Sequence, residues 1–218
     1  MTQPLTGPEV PPASGSVKRL VIFLHGLGSN GDDLISLSDE MQDALPDTHF
    51  ISPNAPFRFD MAPFGYQWFS LADRNPARIL SEMKIAAVPL NHFIDAQMAR
   101  FKLHAHQVAL VGFSQGSMMS LYTAIRRPHP LAGIVAFSGM LRGEESTAQE
   151  ITARPPVCLI HGEMDEVVPF AAMAATETAL RAAKVPVSAH ARPRLGHGID
   201  MEGIDIATRF LATQLGAA

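Results

Sequence analysis

The sequence predicts an α/β fold: a single domain with a mainly parallel central sheet covered by helices on both faces. Three observations carry this expectation. Short apolar runs of strand length alternate with stretches of helical period along nearly the whole chain. Several of those runs are apolar at every position, as in strands buried on both faces. Motifs built from glycine, histidine and acids follow the runs at their C-terminal ends, where open α/β sheets gather reactive groups. A chain of 218 residues with 47% hydrophobic content can bury one core of this kind.

Taken in order, residues 1–16 carry Pro4, Pro8, Pro11 and Pro12 without a cationic start or an apolar centre, so they read as a flexible or loosely packed N-terminal arm and not a secretory signal. The domain is expected over 17–218. Leu20–Leu24 is the first strand and runs into the glycine-rich His25-Gly26-Leu27-Gly28-Ser29-Asn30-Gly31. That loop matches neither a phosphate-binding P-loop nor the dinucleotide fingerprint, because its glycine spacing is wrong and no G-K-[ST] follows. Asp32–Leu45 has a helical stripe of Leu34, Ile35, Leu37, Met41 and Leu45, ended by Pro46. His49–Ser52 is a second strand. Pro53–Asp73 is a long aromatic loop containing Phe57, Phe59, Phe64, Tyr66, Trp68 and Phe69, expected either to wall a pocket or to seal the core beneath it.

Pro76–Leu103 is helical, with Pro89 expected to kink or divide it. Val108–Val111 is the third strand, and Ser117–Ile125 is the helix after it. Ala132–Ser138 is the fourth strand, followed by a polar excursion over Gly139–Arg154. Val157–Ile160, a helix over Phe170–Lys184, and Val185–Ala191 come next, with Pro186 favouring a strand start or a sheet edge. Leu195–Ile199 is a loop and Met201–Leu215 a terminal amphipathic helix.

The chemistry centres on Gly112-Phe113-Ser114-Gln115-Gly116 between a strand and a helix. A G-x-S-x-G in that setting is a nucleophile elbow. The serine sits on a sharp turn, the glycines let the chain fold back, and the backbone N–H of Gln115 and the helix N-terminus point at a developing oxyanion. Asp165 and His197 each follow a later strand, giving the order Ser, Asp, His expected of an α/β-hydrolase. A serine hydroxyl is a weak nucleophile, a neutral imidazole can take its proton, and a carboxylate fixes the imidazole's tautomer. Asp165 competes with its neighbours Glu163 and Glu166. His25 and His161 also lie at strand ends, but each opens an H-G turn and reads as a structural hydrogen-bonding residue.

These segments together resemble the phospholipase/carboxylesterase group of α/β-hydrolases, which includes the acyl-protein thioesterases and small bacterial carboxylesterases. The resemblance rests on HGLGSNGDDL at His25–Leu34, PNAP at Pro53–Pro56 with Trp68-Phe69, GFSQG at Gly112–Gly116, HGEMDEVVP at His161–Pro169 and GHGI at Gly196–Ile199. It implies a single-domain α/β-hydrolase with a Ser114–His197–Asp165 triad, an oxyanion hole from the backbone N–H groups of Leu27 and Gln115, and no metal or organic cofactor. One departure is Ser117, where the family commonly has a second glycine. Trp68, Phe69 and Phe64 of the aromatic loop, with Met140, are the candidate substrate contacts.

The principal reading is a carboxylesterase acting on short- to medium-chain esters, with acyl-thioester or lysophospholipid hydrolysis as the alternative. A non-catalytic ligand-binding relative would predict loss of a triad residue, and a peripheral membrane module would use the aromatic loop. A net charge of −4 without a basic cluster argues against nucleic acid as a partner. The expected partner is a small-molecule ester, with a homodimer left open. Cys158, the sole cysteine, permits no intrachain disulfide. No apolar run approaches the roughly 18 residues of a membrane span, and the expected location is the cytoplasm.

Overall fold

The computed structural model describes residues 4–143 and 149–217. Its main sheet is built from β1 (Glu9–Val10), β2 (Arg19–Leu24), β3 (Thr48–Ile51), β6 (Val108–Phe113), β7 (Gly133–Phe137), β8 (Val157–Gly162) and β9 (Val187–Arg192). The strand order is β1-β3-β2-β6-β7-β8-β9. Every pairing is parallel except that of β1 with β3. A separate antiparallel hairpin, β4 (Phe57–Arg58) with β5 (Tyr66–Gln67), rises from the aromatic loop.

Alternation along the strands divides the core in two. Leu20, Ile22 and Leu24 of β2 point to one face, where they join Met83 and Leu90 of α3 (Pro76–Phe101), Met119 of α4 (Gln115–Ala124) and Leu180 of α5 (Ala171–Ala182). Val21 and Phe23 point to the other face and meet Leu34 of α1 (Gly31–Ile35), Met41 of α2 (Leu37–Met41), and Ile204 and Leu211 of α6 (Met201–Gln214). The sheet is thus covered on both sides, which is why its central strands are apolar throughout rather than alternating.

Two local expectations change and one narrows. The single helix over Asp32–Leu45 is two short helices that meet at Ser36. There the Ser36 and Ser38 hydroxyls donate to the carbonyls of Asp33 and Ile35, competing with the helical ladder. Pro89 does not divide the helix that contains it: α3 is continuous from Pro76 to Phe101, capped by the Asn75 side chain. Buried Pro89 removes one backbone donor from α3, a loss tolerated because the surrounding residues Ala86, Ala87, Leu90 and Phe93 are packed into the core.

Part of the stretch expected as a flexible arm is built into the sheet. Glu9–Val10 pairs with β3, Leu5 is buried, and the carbonyls of Thr6 and Pro8 accept from the N–H groups of Asn54 and Ser52. Of the polar excursion between Gly139 and Arg154, residues 144–148 lie outside the described residues. Leu141 before them and Ala153 after them are buried. The last strand starts just after Pro186 and forms the sheet edge, where a missing N–H costs nothing.

Candidate active site

The site forms at the carboxyl end of the sheet, where β2, β6, β8 and β9 release their loops. Ser114 has φ 53° and ψ −114°, a conformation few non-glycine residues adopt. It is held there by its N–H donating to Phe137 O at 2.9 Å and by its carbonyl accepting from Met118 N–H at 3.1 Å. The flanking glycines are required by close approach: a Cβ on Gly116 would lie 1.8 Å from Leu24 O, and one on Gly112 would lie 2.5 Å from the backbone of Gly116. Ser117, the departure from the family pattern, is buried with its hydroxyl 2.6 Å from Gly112 O and 2.7 Å from Phe137 O. It ties α4 back onto β6 and β7.

Asp165 and His197 meet although they lie on different loops. His197 Nδ1 donates to Asp165 Oδ2 at 2.8 Å, so the carboxylate selects the tautomer with a free Nε2. The other carboxylate oxygen accepts from the N–H groups of Val167 at 2.9 Å and Val168 at 2.8 Å. Burial alone would push the Asp165 carboxyl up. The hydrogen bond from His197, those from Val168 and Val167, and the His197 charge together outweigh it and hold the group below its ordinary range. The acid therefore stays ionised beside the imidazole. Phe113 packs against the His197 ring with centroids 4.9 Å apart.

His161 and His25 serve the scaffold. His161 Nε2 lies 2.8 Å from Val168 O and 3.2 Å from Asp165 Oδ2, bracing the turn that presents the acid. His25 is buried, its Nδ1 bonded to Gly26 O at 2.7 Å while Nε2 accepts from Ala55 N–H at 3.0 Å. Burial lowers its pKa, which keeps Nε2 available as an acceptor.

A cavity of about 500 Å³ opens here, lined by Ser114, His197, Leu27 and Gln115. That volume lies in the range of small-ligand sites. Its apolar wall includes Phe69, Leu71, Ile79, Phe113, Met118 and Val168. The backbone N–H groups of Leu27 and Gln115 have no hydrogen-bond partner among the described residues.

The four candidate substrate contacts fare unequally. Phe69 lines the cavity. Trp68 does not: it is 0% exposed, its indole N–H donates to His25 O at 3.0 Å, and its bulk belongs to the core. Phe64 is 71% exposed, away from the cavity lining. Met140 packs against the core cluster. The wall residues Ile79 and Met118 escaped sequence reading because each sits in an apolar helical stripe that looks like ordinary core, and Leu71 because it is an isolated aliphatic residue at the end of the aromatic loop.

A profile of the phospholipase/carboxylesterase family matches residues 5–215. The chain belongs to that family. Among its relatives, "Acyl-protein thioesterase 1 homolog 1" of Dictyostelium discoideum is 29% identical over 208 residues, covering 89% of this chain and 90% of the relative. Acyl-protein thioesterase 1 of Kluyveromyces lactis is 32% identical over 180 residues, covering 77% of this chain and 78% of the relative. Among solved structures, esterase PE8 superposes with a TM-score of 0.93 at 41% identity, covering 98% of this chain and 100% of that one. Zea mays acyl-protein thioesterase 2 gives a TM-score of 0.77 at 26% identity, covering 96% and 98%. No helix among the described residues of this family member is long and apolar enough to cross a membrane.

Proposed function

We propose that the chain is a serine carboxylesterase that hydrolyses short- to medium-chain esters through an acyl-enzyme. The observation that carries the reading is the shared cavity, into which the elbow serine and the Asp165-oriented His197 both open. Ser114 Oγ attacks the ester carbonyl while His197 Nε2 takes its proton. Negative charge develops on the carbonyl oxygen and is received by the N–H groups of Leu27 and Gln115. Collapse of the tetrahedral species expels the alcohol, which leaves with the proton from His197. Water then repeats the sequence on the acyl-enzyme, and the carboxylic acid departs. Asp165 stays ionised throughout and stabilises the imidazolium. The apolar wall of Phe69, Leu71 and Met118 supplies the acyl side.

The relatives named as acyl-protein thioesterases support a second reading, hydrolysis of acyl thioesters at the same site. The serine, the base and the oxyanion donors serve either leaving group. A fluorophosphonate should label Ser114 covalently, and Ser114→Ala should lose labelling and lower ester hydrolysis by on the order of 10³ or more. Retained labelling of Ser114→Ala would move the nucleophile elsewhere. Matched oxygen esters and thioesters assayed on the parent protein separate the two substrate classes.

A further inference from the structure

We infer that the hairpin β4–β5 and its continuation to Phe69 form a strap that sets the spacing of the two oxyanion donors, with Gly65 and the side chain of Gln115 as its positioning residues. The inference rests on the reading of Leu27 and Gln115 as those donors. At one end the strap grips the loop that carries Leu27. Gly28 N–H donates to Tyr66 O at 2.8 Å, and Tyr66 N–H donates to Ser29 O at 2.8 Å. The two residues that follow Leu27 are therefore paired, as a short antiparallel bridge, with one residue of the strap.

The grip needs a glycine at its closest point. Gly65 has φ +80°, and a Cβ there would lie 2.1 Å from Gly28 O. That clash is with backbone, which has no flexible end to move aside. Phe59 N–H donates to Gly65 O at 3.1 Å, closing the hairpin behind the contact.

At the other end the strap is fixed to the elbow helix. Gln115 Oε1 accepts from Trp68 N–H at 2.7 Å, and Gln115 Nε2 donates to Phe69 O at 2.7 Å. The amide is almost fully buried and satisfies two backbone groups of the strap. Tyr66 thus holds the Leu27 loop, and Trp68 and Phe69 hold the residue that bears the second donor. The donors lie on separate segments, the loop after β2 and the first residue of α4 after β6. Hydrogen bonds to an oxyanion depend on placement within a few tenths of an ångström, so a part joined to both segments governs their joint aim.

The test is a double-mutant cycle on ester hydrolysis. Gly65→Ala pushes the strap off Gly28, and Gln115→Leu unties it from α4 while keeping the backbone N–H. With p-nitrophenyl acetate and butyrate, each variant should lower kcat per folded molecule by about 10- to 100-fold, a share of the 10²–10³ lost when an oxyanion donor is removed. KM should stay within about threefold for both esters. Because the two contacts act through one strap, the double variant should be no slower than about the worse single one. A parent-like kcat in either single variant, losses confined to KM, or losses that multiply would each overturn the strap. Where a variant does not fold, residue-resolved amide exchange on the parent decides: Gly28, Tyr66 and Trp68 should open together, and independent opening would overturn it. Loss of activity in Ser114→Ala alongside a parent-like Gly65→Ala would remove the strap and leave the serine hydrolase reading standing.

Discussion

Two segments meet at the cavity and are built on opposite plans. The elbow, Gly112–Gly116, is held chiefly by backbone: its glycines lie against Leu24 O and each other and Ser114 N–H bonds to Phe137 O, with the hydroxyl of the next residue, Ser117, reaching back to β6 and β7. The stretch Pro53–Leu71 is held at separate points, by the Tyr66 backbone on Gly28 and Ser29, by the Gln115 side chain on Trp68 and Phe69 and by one small hairpin, while Phe57, Met61 and Phe64 remain exposed. The contrast teaches that reacting groups sit where the chain has almost no freedom. The cavity wall of Phe69 and Leu71 lies on the second segment, whose hairpin is separate from the main sheet.

If that division holds, the largest effect should come from the rigid side. Asp165→Asn should lower kcat by on the order of 10⁴, because the amide favours the wrong imidazole tautomer, whereas Glu163→Gln and Glu166→Gln should stay within about tenfold of the parent. Steady-state kinetics check this, and a near-normal Asp165→Asn would break the comparison at its rigid end.

Next is Trp68→Ala, which tests whether the loop's largest ring belongs to structure or to selection. Its complete burial and its bond to His25 O predict a loss of about 3–5 kcal/mol in unfolding free energy. The acyl chain-length optimum should not move. Denaturant melts read alongside kcat/KM for esters from acetate to decanoate measure both, and a shifted optimum would make Trp68 a selector.

A smaller effect is expected from the cavity wall. Leu71→Ala should extend the accepted chain, with kcat/KM rising about three- to fourfold for each further carbon buried, at about 0.8 kcal/mol per methylene. The same ester series reads this out, and an unchanged profile would leave selection to α3 and α4.

The smallest effect belongs to the N-terminal strand, where Glu9 bonds both Arg100 and buried His49. The hydrogen bond from Arg100 chiefly holds the Glu9 carboxyl below its ordinary value, and burial lowers His49. Both groups bind protons less readily folded than unfolded, so their contribution is present above the unfolded values, roughly 6.5 for histidine and 4.3 for glutamate, and is lost as pH falls through the folded ones. Amide exchange at Ser52, which donates to Pro8 O, should accelerate as pH falls from 7 to 5 beyond its intrinsic pH dependence, and more so in Glu9→Gln, which removes the carboxylate that partly offsets the burial of His49. Equal pH responses in the two proteins would remove Glu9 from the docking.

The parallel sheet, its two helical layers and the elbow were legible because each depends on local pattern. An apolar run marks a strand buried on both faces, and G-x-S-x-G leaves the chain few ways to turn. The acid was harder, since Glu163 and Glu166 offer the same charge. Asp165 stands out once folded because its short side chain tucks under the Val167 and Val168 N–H groups and reaches His197.

Where the aromatic side chains point was not legible, for a physical reason. Trp68 faces inward because of a carbonyl on His25, 43 positions away, and Phe69 turns the other way into the cavity. Burial energy favours covering any large ring and does not say against what. The same holds for the arm, whose prolines suggest a loose chain until the free edge of β3 offers Glu9–Val10 a ladder. Local spacing is carried by the covalent chain and can be read along it. Which face a loop side chain presents is settled only when distant segments compete for the same space.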